Sequence, residues 1–316
     1  MNRNLARMPR FILLALGVSL AITAIAAAGT AGTQALRGTI QADGSSTVGP
    51  YVQAAAQGFE KKNKSVRIVV GISGTGGGFE RFCRGETDLS NASRPIKQTE
   101  STKCRDKDVR YVAFHVANDG LSVVVNKSNT WASCLTTEEL KSIWDTGSKV
   151  DNWNDVRSGF PNVPLRLFGP GTDSGTFDFF TEKINGKSRR SRSDYQATEN
   201  DNVIVRGVSG ERGGMGYFGL SYYVENKNRL KVVGVNNGSG CVKPSIQTVQ
   251  NGKYKPLGRP LFVYAKRDSF RRAEVRGFVG YMLNNQKSIA TKSDFVPLTK
   301  KQVARAKEFY KNALKG

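Results

Sequence analysis

Residues 169–176 read Gly-Pro-Gly-Thr-Asp-Ser-Gly-Thr and lead directly into an apolar helical pattern over 177–184. The glycines allow a backbone to approach a ligand closely, and the hydroxyl side chains place hydrogen-bonding groups beside it. The free N–H groups and the positive dipole end of the helix that follows suit a bound oxyanion. This segment therefore predicts an anion-binding loop at a helix N-terminus.

Two earlier loops share this design. Residues 43–47 read Asp-Gly-Ser-Ser-Thr before a helical pattern over 50–62, and residues 73–78 read Ser-Gly-Thr-Gly-Gly-Gly before a helical pattern at 79–84. Clusters of Gly, Ser and Thr are usually turns, so one such loop is weak support for a binding site. Three loops of this kind could converge on one tetrahedral ion.

Short β-branched runs alternate with helical patterns along the chain. The predicted strands cover 66–70, 109–116, 121–125, 165–168, 230–235 and 260–265. A further predicted helix over 137–144 is capped by Thr136. The end of the chain is predicted to be helical, with Ser269 and Thr299 as N-caps. This alternation predicts an α/β protein in which helices cover mixed sheets.

The chain is strongly basic. Its 48 Lys and Arg against 26 Asp and Glu leave a net charge of +22, and such a field attracts anions. In one polar segment, Arg189, Arg190 and Arg192 are interspersed with serines. Because aromatic residues are absent from that segment, we predict a solvated loop and no nucleic-acid partner.

Few features of the sequence favour catalysis. His115 is the one histidine, which argues against imidazole-rich metal sites and most general-base chemistry. Residues 214–219 fit G-x-G-x-x-G but lack a preceding apolar strand and a suitable acidic residue about 20 positions later. The P-loop motif is absent. We therefore predict no catalytic residue, no metal site and no cofactor.

Residues 1–28 have the layout of a secretory signal peptide. Three arginines precede an apolar stretch over 11–25, and three alanines follow it. This order predicts cleavage near Ala28, or slightly later at Ala31 or Ala35, and a periplasmic mature protein. An uncleaved membrane anchor is the alternative, since the apolar segment approaches the ~18 residues that span a bilayer.

The four cysteines, Cys83, Cys104, Cys134 and Cys241, form an even set without C-x-x-C spacing. In an oxidising compartment this favours structural disulfides over a metal or redox site. Three pairings are open at this point, and four buried free thiols are a further alternative.

Five strings of residues together resemble one known family. They are Asp-Gly-Ser-Ser-Thr-Val at 43–48, Gly-Ile-Ser-Gly-Thr-Gly-Gly-Gly at 71–78, Asp-Leu-Ser-Asn-Ala-Ser-Arg-Pro-Ile at 88–96, Gly-Pro-Gly-Thr-Asp-Ser-Gly-Thr-Phe at 169–177 and Gly-Tyr-Phe-Gly at 216–219. In this order they resemble the periplasmic phosphate-binding protein of the high-affinity phosphate ABC transporter. The resemblance extends over nearly all of the chain after the predicted signal peptide.

The resemblance implies a type II periplasmic binding protein fold. In this α/β fold, two lobes are joined by two hinge strands and hold the ligand in the cleft between them. Lobe 1 would comprise 37–116 and 254–316, and lobe 2 would comprise 117–253. The two strands would cross between the lobes near 118–120 and 258–260.

These boundaries favour one disulfide pairing. Cys83 and Cys104 would close a short local loop, and Cys134 and Cys241 would both lie in lobe 2. We therefore predict the pairs Cys83–Cys104 and Cys134–Cys241.

The resemblance also implies which residues bind phosphate. Family members carry an arginine a few positions before Ser-Gly-Thr and an aspartate directly after Ala-Ser, whereas this chain has Pro170 near the first position and Arg94 at the second. The charges look exchanged, so we assign the cation to Arg94 and the hydrogen-bond acceptor to Asp173. The predicted phosphate-binding residues are Ser46, Thr47, Thr75, Arg94, Asp173, Ser174, Gly175 and Thr176.

The function implied by the resemblance is the capture of inorganic phosphate outside the cytoplasm for import. The partner would be the ABC transporter permease in the inner membrane, and the binding protein would be a monomer. Three alternatives stay open: an extracytoplasmic phosphomonoesterase, a binding protein for another tetrahedral oxyanion such as sulfate or molybdate, and an adhesion or scaffold protein with a basic face.

Overall fold

The computed structural model describes residues 35–45, 47–172, 174–198 and 200–315. The predicted signal peptide over 1–28, Ser46 and Asp173 lie outside the described residues. Within the described part of the chain, no helix is long and apolar enough to span a bilayer.

Strands and helices alternate through the described residues, as the sequence predicts. The strands are β1 Arg37–Gly44, β2 Ser65–Val70, β3 Leu89–Ala92, β4 Tyr111–Asn126, β5 Cys134–Thr136, β6 Arg166–Pro170, β7 Gln196–Thr198, β8 Gly214–Gly219, β9 Leu230–Val232, β10 Gly234–Asn236, β11 Cys241–Val242 and β12 Gly258–Lys266. The helices are α1 Gly49–Lys62, α2 Gly74–Cys83, α3 Gln98–Arg105, α4 Thr137–Trp144, α5 Trp153–Val156, α6 Gly175–Ile184, α7 Asp201–Gly210, α8 Leu220–Asn226, α9 Ile246–Gln250, α10 Ala273–Asn284, α11 Gln286–Lys292 and α12 Lys300–Ala313. A short 3-10 helix covers Asp268–Arg271.

Nine of the described strands form one mixed sheet in the order β2-β1-β3-β12-β4-β8-β6-β7, with β9 paired to β4. The strands β5, β10 and β11 form a second sheet. The first part of β4 pairs with β12, which places Asp119 opposite Arg259, and from Leu121 onward β4 pairs with β8. The predicted strands 109–116 and 121–125 are therefore one strand, because β12 supplies backbone partners for the polar residues between them.

Buried apolar side chains form separate clusters on the two sides of this change of partner. One large cluster draws its members from 40–117 and 261–313. A second draws its members from 121–257, together with Val296. Each side therefore has a core of its own, as a two-lobed α/β architecture requires. The exact lobe boundaries stay a prediction.

The glycine-rich segment at 73–78 is helical, so its prediction as a loop is wrong. α2 begins at Gly74, and Ser73 occupies the N-cap position. A Cβ at Gly78 would lie 2.4 Å from the Cα of Gly44 on β1. Glycine allows the helix to lie against the strand at this distance, and the packing outweighs the low helix propensity of the run.

Two of the three predicted N-caps are confirmed. Thr136 and Thr299 each accept a hydrogen bond from the backbone N–H three residues on, at 3.1 and 3.2 Å. Ser269 lies inside the short 3-10 helix instead of capping a helix, and its hydroxyl donates to Asp88 at 2.7 Å. That prediction is wrong because the carboxylate of Asp88 is buried and takes the hydroxyl as one of its donors.

The two disulfides have the predicted pairing. Cys83–Cys104 joins the end of α2 to α3, and Cys134–Cys241 joins β5 to β11. No cysteine of the chain is free. Neither disulfide therefore joins the part of the fold that precedes the change of partner in β4 to the part that follows it.

The arginine-rich segment before β7 is a solvated loop only in part. The side chain of Arg192 is 7% exposed. Its Nη1 donates to the carbonyl oxygens of Ile143 and Val150 at 3.0 and 2.8 Å, and its Nε and Nη2 donate to Asp194. The prediction is wrong for Arg192 because these carbonyl groups lie under the loop and require a donor.

Candidate anion-binding cleft

A cavity of about 380 Å³ lies where both sides of the molecule contribute lining residues. It is bordered by the loops after β1 and β3, the first turns of α2 and α6, and the start of β12. Among the lining residues are Thr47, Thr75, Ser93, Arg94, Gly175 and Arg259. Hydroxyl groups and guanidinium cations therefore meet in one cavity, a combination that suits a tetrahedral oxyanion.

The loops before α1 and α6 touch each other in this cavity. Thr47 Oγ1 donates a hydrogen bond to the carbonyl oxygen of Gly175 at 3.3 Å. A Cβ at Gly175 would lie 2.8 Å from the backbone nitrogen of Thr47, so the contact leaves no room for a side chain. Two of the three predicted anion loops thus meet directly.

A pair of hydroxyl groups lines the cavity at the start of α2. Thr75 Oγ1 lies 3.1 Å from Ser93 Oγ and accepts a hydrogen bond from the backbone N–H of Ser93 at 3.2 Å. Ser93 directly follows β3, so the neighbouring strands β1 and β3 both end at the cavity. The structure therefore brings the second predicted loop to the same place as the first.

Ser174 and Thr176 have a different position from the other predicted ligands. Ser174 accepts a hydrogen bond from the backbone N–H of Thr176 at 3.1 Å and is the N-cap of α6. Both residues line a neighbouring cavity of about 750 Å³, which also includes Asp119. Thr47 and Gly175 line both cavities, so their contact forms the boundary between them.

Asp43 shapes the first two loops. This buried carboxylate accepts hydrogen bonds from the backbone N–H groups of Gly44 and Ser73 at 2.7 and 3.1 Å, and from Arg81 at 2.5 Å. A Cβ at Gly71 would come within 2.8 Å of one of its oxygens. Asp43 therefore fixes the backbone around the cavity.

Arg94 lines the cavity but is paired within its own part of the chain. Its Nη1 and Nη2 donate to the two carboxylate oxygens of Glu100 at 2.8 and 2.7 Å, and Nη1 also donates to the carbonyl oxygen of Pro95. The bond to Glu100 raises the pKa of the Arg94 guanidinium. With a side chain that is 27% exposed, Arg94 is a partly hydrated cation at the cavity.

Arg259 is the more deeply buried cation of the cavity. Its side chain is 10% exposed, and its Nε donates to Asp119 Oδ2 at 3.1 Å. Its Nη2 donates to Thr47 Oγ1 at 2.7 Å, and its Cζ lies 3.4 Å from the centre of the Phe179 ring. The guanidinium therefore contacts the loop after β1, the strand β4 and the helix α6.

Burial opposes charge on both members of this ion pair. It lowers the pKa of Arg259 and raises the pKa of Asp119, while the attraction between the two groups acts against both shifts. A guanidinium in a protein keeps its proton even when burial lowers its pKa, so Arg259 stays charged in the folded protein. The cavity is therefore lined by a charged guanidinium with little water around it, paired with Asp119.

Known proteins resemble this chain over most of its length. The PBP superfamily domain matches residues 29–286. Protein SphX of Synechococcus elongatus is 49% identical over 281 residues, which cover 88% of this chain and 83% of that protein. The phosphate-binding protein PstS of Staphylococcus saprophyticus is 40% identical over 291 residues, which cover 91% of this chain and 89% of that protein. The chain belongs to the SphX and PstS family of the PBP superfamily.

Solved structures support the same placement. A possible phosphate binding protein from Planctomyces limnophilus matches with a TM-score of 0.86 and 45% identity, over 88% of this chain and 99% of that one. An ABC-type phosphate transport receptor from Vibrio cholerae matches with a TM-score of 0.62 at 18% identity, over 82% of this chain and all of that one, and this match concerns the fold alone. The fold is thus the two-lobed α/β fold of this superfamily, as the sequence predicts.

Ser93 and Arg259 are among the cavity-lining residues of this family member that the sequence did not predict as ligands. Ser93 stands inside one of the strings that resemble the family, next to Arg94. Arg259 and Asp119 lie in the two predicted crossing segments, for which the sequence predicts no part in binding. The sequence feature that could have indicated this pair is the presence of opposite charges in two segments next to predicted apolar strands. Among the described residues, no cluster of His, Cys, Asp and Glu side chains is arranged to hold a metal ion.

Proposed function

We propose that this chain binds inorganic phosphate in the 380 Å³ cavity and delivers it to the permease of an ABC transporter. The observation that carries the proposal is the meeting of Thr47, Thr75 and Arg259 with the start of α6 in one enclosed place. The relatives named as phosphate-binding proteins support the choice of ion. Of the predicted ligands, Thr47, Thr75, Arg94 and Gly175 line this cavity, and Ser174 and Thr176 line the neighbouring one. Ser46 and Asp173, which lie outside the described residues, stay predicted ligands.

Asp173 would distinguish phosphate from sulfate. Phosphate near neutral pH carries at least one proton, which an ionised carboxylate accepts in a short hydrogen bond. Sulfate has no proton to donate, so the same carboxylate would face its lone pairs. Repulsion of this kind excludes the wrong ligand more strongly than it favours the right one.

The proposal is for a binding protein and not for an enzyme. A phosphomonoesterase needs an activated nucleophile or a metal centre in contact with the ester. The hydroxyls of Thr47 and Thr75 are instead hydrogen-bonded to Arg259, Gly175 and Ser93, with no general base among these partners. We further propose that residues 1–28 are a signal peptide and that the mature protein is a periplasmic monomer.

We also propose that the two lobes close on the bound phosphate, which rests on the predicted division of the chain into lobes. Lobe 1 comprises 37–116 and 254–316 and lobe 2 comprises 117–253, so Thr47 and Gly175 belong to opposite lobes. A ligand held by both would draw the lobes together.

The experiment is a calorimetric titration of the purified protein after unfolding, dialysis and refolding to remove bound ions. We expect one phosphate per chain, arsenate binding of similar strength and much weaker binding of sulfate and molybdate. Small-angle scattering should show compaction on phosphate binding. Tighter binding of sulfate or molybdate than of phosphate would show that phosphate is not the ligand. Steady hydrolysis of p-nitrophenyl phosphate would show that the protein is a phosphomonoesterase.

A further inference from the structure

Arg259 lies on β12 and lines the cavity, and its partners come from the loop after β1 and from α6 as well as from β4. Asp119 lies opposite it in the antiparallel register of β4 and β12. Thr47 approaches the guanidinium from one wall, and the ring of Phe179 on α6 covers it from the other. The position of the cation is therefore set by the sheet and not by a mobile loop.

The guanidinium of Arg259 carries N–H donors that no acceptor among the described residues uses. An arginine side chain carries five N–H donors, of which Nε–H is used by Asp119 and one Nη2–H by Thr47. Among the described residues, the two N–H groups of Nη1 and the second of Nη2 have no hydrogen-bond partner. Because the side chain is 10% exposed, little water surrounds these groups, and an anion in the cavity could accept hydrogen bonds from them.

The planar face of the guanidinium is occupied as well. Its Cζ lies 3.4 Å from the centre of the Phe179 ring, so one face stacks on the aromatic ring. Stacking leaves the edge of the guanidinium plane for hydrogen bonds, and this edge presents paired N–H groups that match two oxygens of a tetrahedral anion. Arg259 lines the same cavity as Thr75 and Ser93.

Arg94 meets these conditions less well. Glu100 neutralises it through two hydrogen bonds, and its greater exposure allows water to complete its remaining donors. An anion that approaches Arg94 therefore replaces water and competes with a carboxylate. An anion that approaches Arg259 satisfies donors that have no other partner among the described residues.

We propose that Arg259 is the principal cation that binds the phosphate oxygens, with its edge N–H groups as donors. This inference rests on the proposed function, because it names the residue that holds the same ion. It assigns the role of the missing loop arginine to a strand residue and gives Arg94 a secondary part.

The test compares calorimetric phosphate titrations of the wild type with those of three variants. Changing Arg259→Gln alone would leave Asp119 buried without a cation, so the main variant is Arg259→Gln with Asp119→Asn, which removes both charges together. Arg94→Gln tests the alternative cation. Arg192→Gln is the matched control, since Arg192 is also a buried arginine paired with an aspartate but does not line the cavity.

We expect the Arg259→Gln/Asp119→Asn variant to bind phosphate about 100-fold more weakly than the wild type or worse. Arg94→Gln should weaken binding by less than about tenfold, because a hydrated and paired charge contributes little. Arg192→Gln should stay within about twofold of the wild type, as a distant site does. Thermal unfolding of each variant checks that it is folded under the conditions of the titration.

Two results would overturn the assignment. A folded double variant that keeps wild-type affinity would show that Arg259 does not contact the ion, and a larger loss in Arg94→Gln would move the principal role to Arg94. If the double variant does not fold, Arg259→Lys keeps the positive charge and loses the planar edge. An affinity unchanged by that substitution would equally refute the edge-bound geometry. A wild-type protein that binds no phosphate would refute the proposed function itself.

Discussion

Arg192 and Arg259 are both arginines with little exposure, and both donate to an aspartate. Arg192 Nη1 also donates to the carbonyl oxygens of Ile143 and Val150 and to Ser148 Oγ. Arg259 has one further protein acceptor in the described chain, Thr47, and it borders a cavity. Both side chains are thus buried and paired with an aspartate. They differ in whether acceptors of the described chain use the other N–H donors, and this difference distinguishes a structural arginine from a ligand-binding one.

The two aspartates differ in the same sense. Arg192 lowers the pKa of Asp194, whose side chain is 66% exposed and keeps its water. Burial raises the pKa of Asp119, whose side chain is 5% exposed, in spite of the neighbouring Arg259. The exposed Asp194 therefore keeps its hydration when it ionises beside Arg192. The buried Asp119 loses hydration when it ionises beside Arg259.

The largest expected effect concerns the stability of the ligand-free protein. Arg192→Gln should lower the free energy of unfolding by about 3 kcal/mol, because it leaves buried carbonyl groups without donors. Arg259→Gln/Asp119→Asn should change it by less than about 1 kcal/mol or raise it, because both charges leave together. Urea unfolding followed by circular dichroism measures both values. The opposite order would mean that Arg259 serves the fold and Arg192 does not.

The second effect is the stabilisation that phosphate confers. At free phosphate about 100 times the dissociation constant, a ligand that binds the native state alone adds about 2.7 kcal/mol to the free energy of unfolding. We expect this gain in the wild type and in Arg192→Gln. At the same phosphate concentration, the variant without Arg259 and Asp119 should gain almost nothing. Equal gains in all three proteins would remove the distinction between the two arginines.

The third effect concerns the hydroxyl acceptors of the two guanidinium groups. Thr47→Val removes the acceptor of Arg259 Nη2 and should weaken phosphate binding by about 1.4 kcal/mol, which is tenfold. Ser148 Oγ accepts from Arg192 Nη1 at 3.2 Å, so Ser148→Ala should lower the free energy of unfolding by about 1 kcal/mol. Titration and urea unfolding of both variants separate the two outcomes. A loss of phosphate affinity in Ser148→Ala would contradict the comparison.

The smallest effect is a pH dependence with opposite signs at the two aspartates. The raised pKa of Asp119 means that its contribution to stability is present below its ordinary value of 3.8 and is lost as the pH rises through the folded-state pKa. Asp194 has a lowered pKa, so its contribution is present above that value and is lost in acid.

Urea unfolding between about pH 4 and pH 7 tests this difference, since ordinary carboxyl groups ionise near its lower end. The stability of Asp119→Asn relative to the wild type should rise with pH across this range. For Asp194→Asn the difference from the wild type should stay flat there. A flat difference for both variants would show that burial does not control the titration of Asp119.

The sequence predicted the local part of the site and missed the part that depends on strand pairing. Short runs of glycine and hydroxyl residues beside predicted helices contain Thr47, Thr75 and Gly175. Such runs can be identified from the local sequence without knowledge of the fold. Arg259 and Asp119 are 140 residues apart and meet through the register of β4 and β12. No local pattern contains that register, so their pairing could not be read from either segment.

The same reason explains the errors in secondary structure. The polar residues between 109–116 and 121–125 suggested a break, whereas a neighbouring strand carries β4 straight through them. The glycines at 74–78 suggested a loop, whereas close packing on β1 makes them the first turns of a helix. In each case a distant part of the chain decided the local conformation.

The contact between Thr47 and Gly175 has a kinetic consequence. The backbone of one loop lies against the other without a side chain between them, at a spacing that excludes even a methyl group. If the proposed phosphate ion leaves the cavity between these two loops, the loops must separate first. The dissociation rate of the ion is then set by the rate at which the loops separate. Hydrogen bonds to the ion lower that rate, because they hold the loops together.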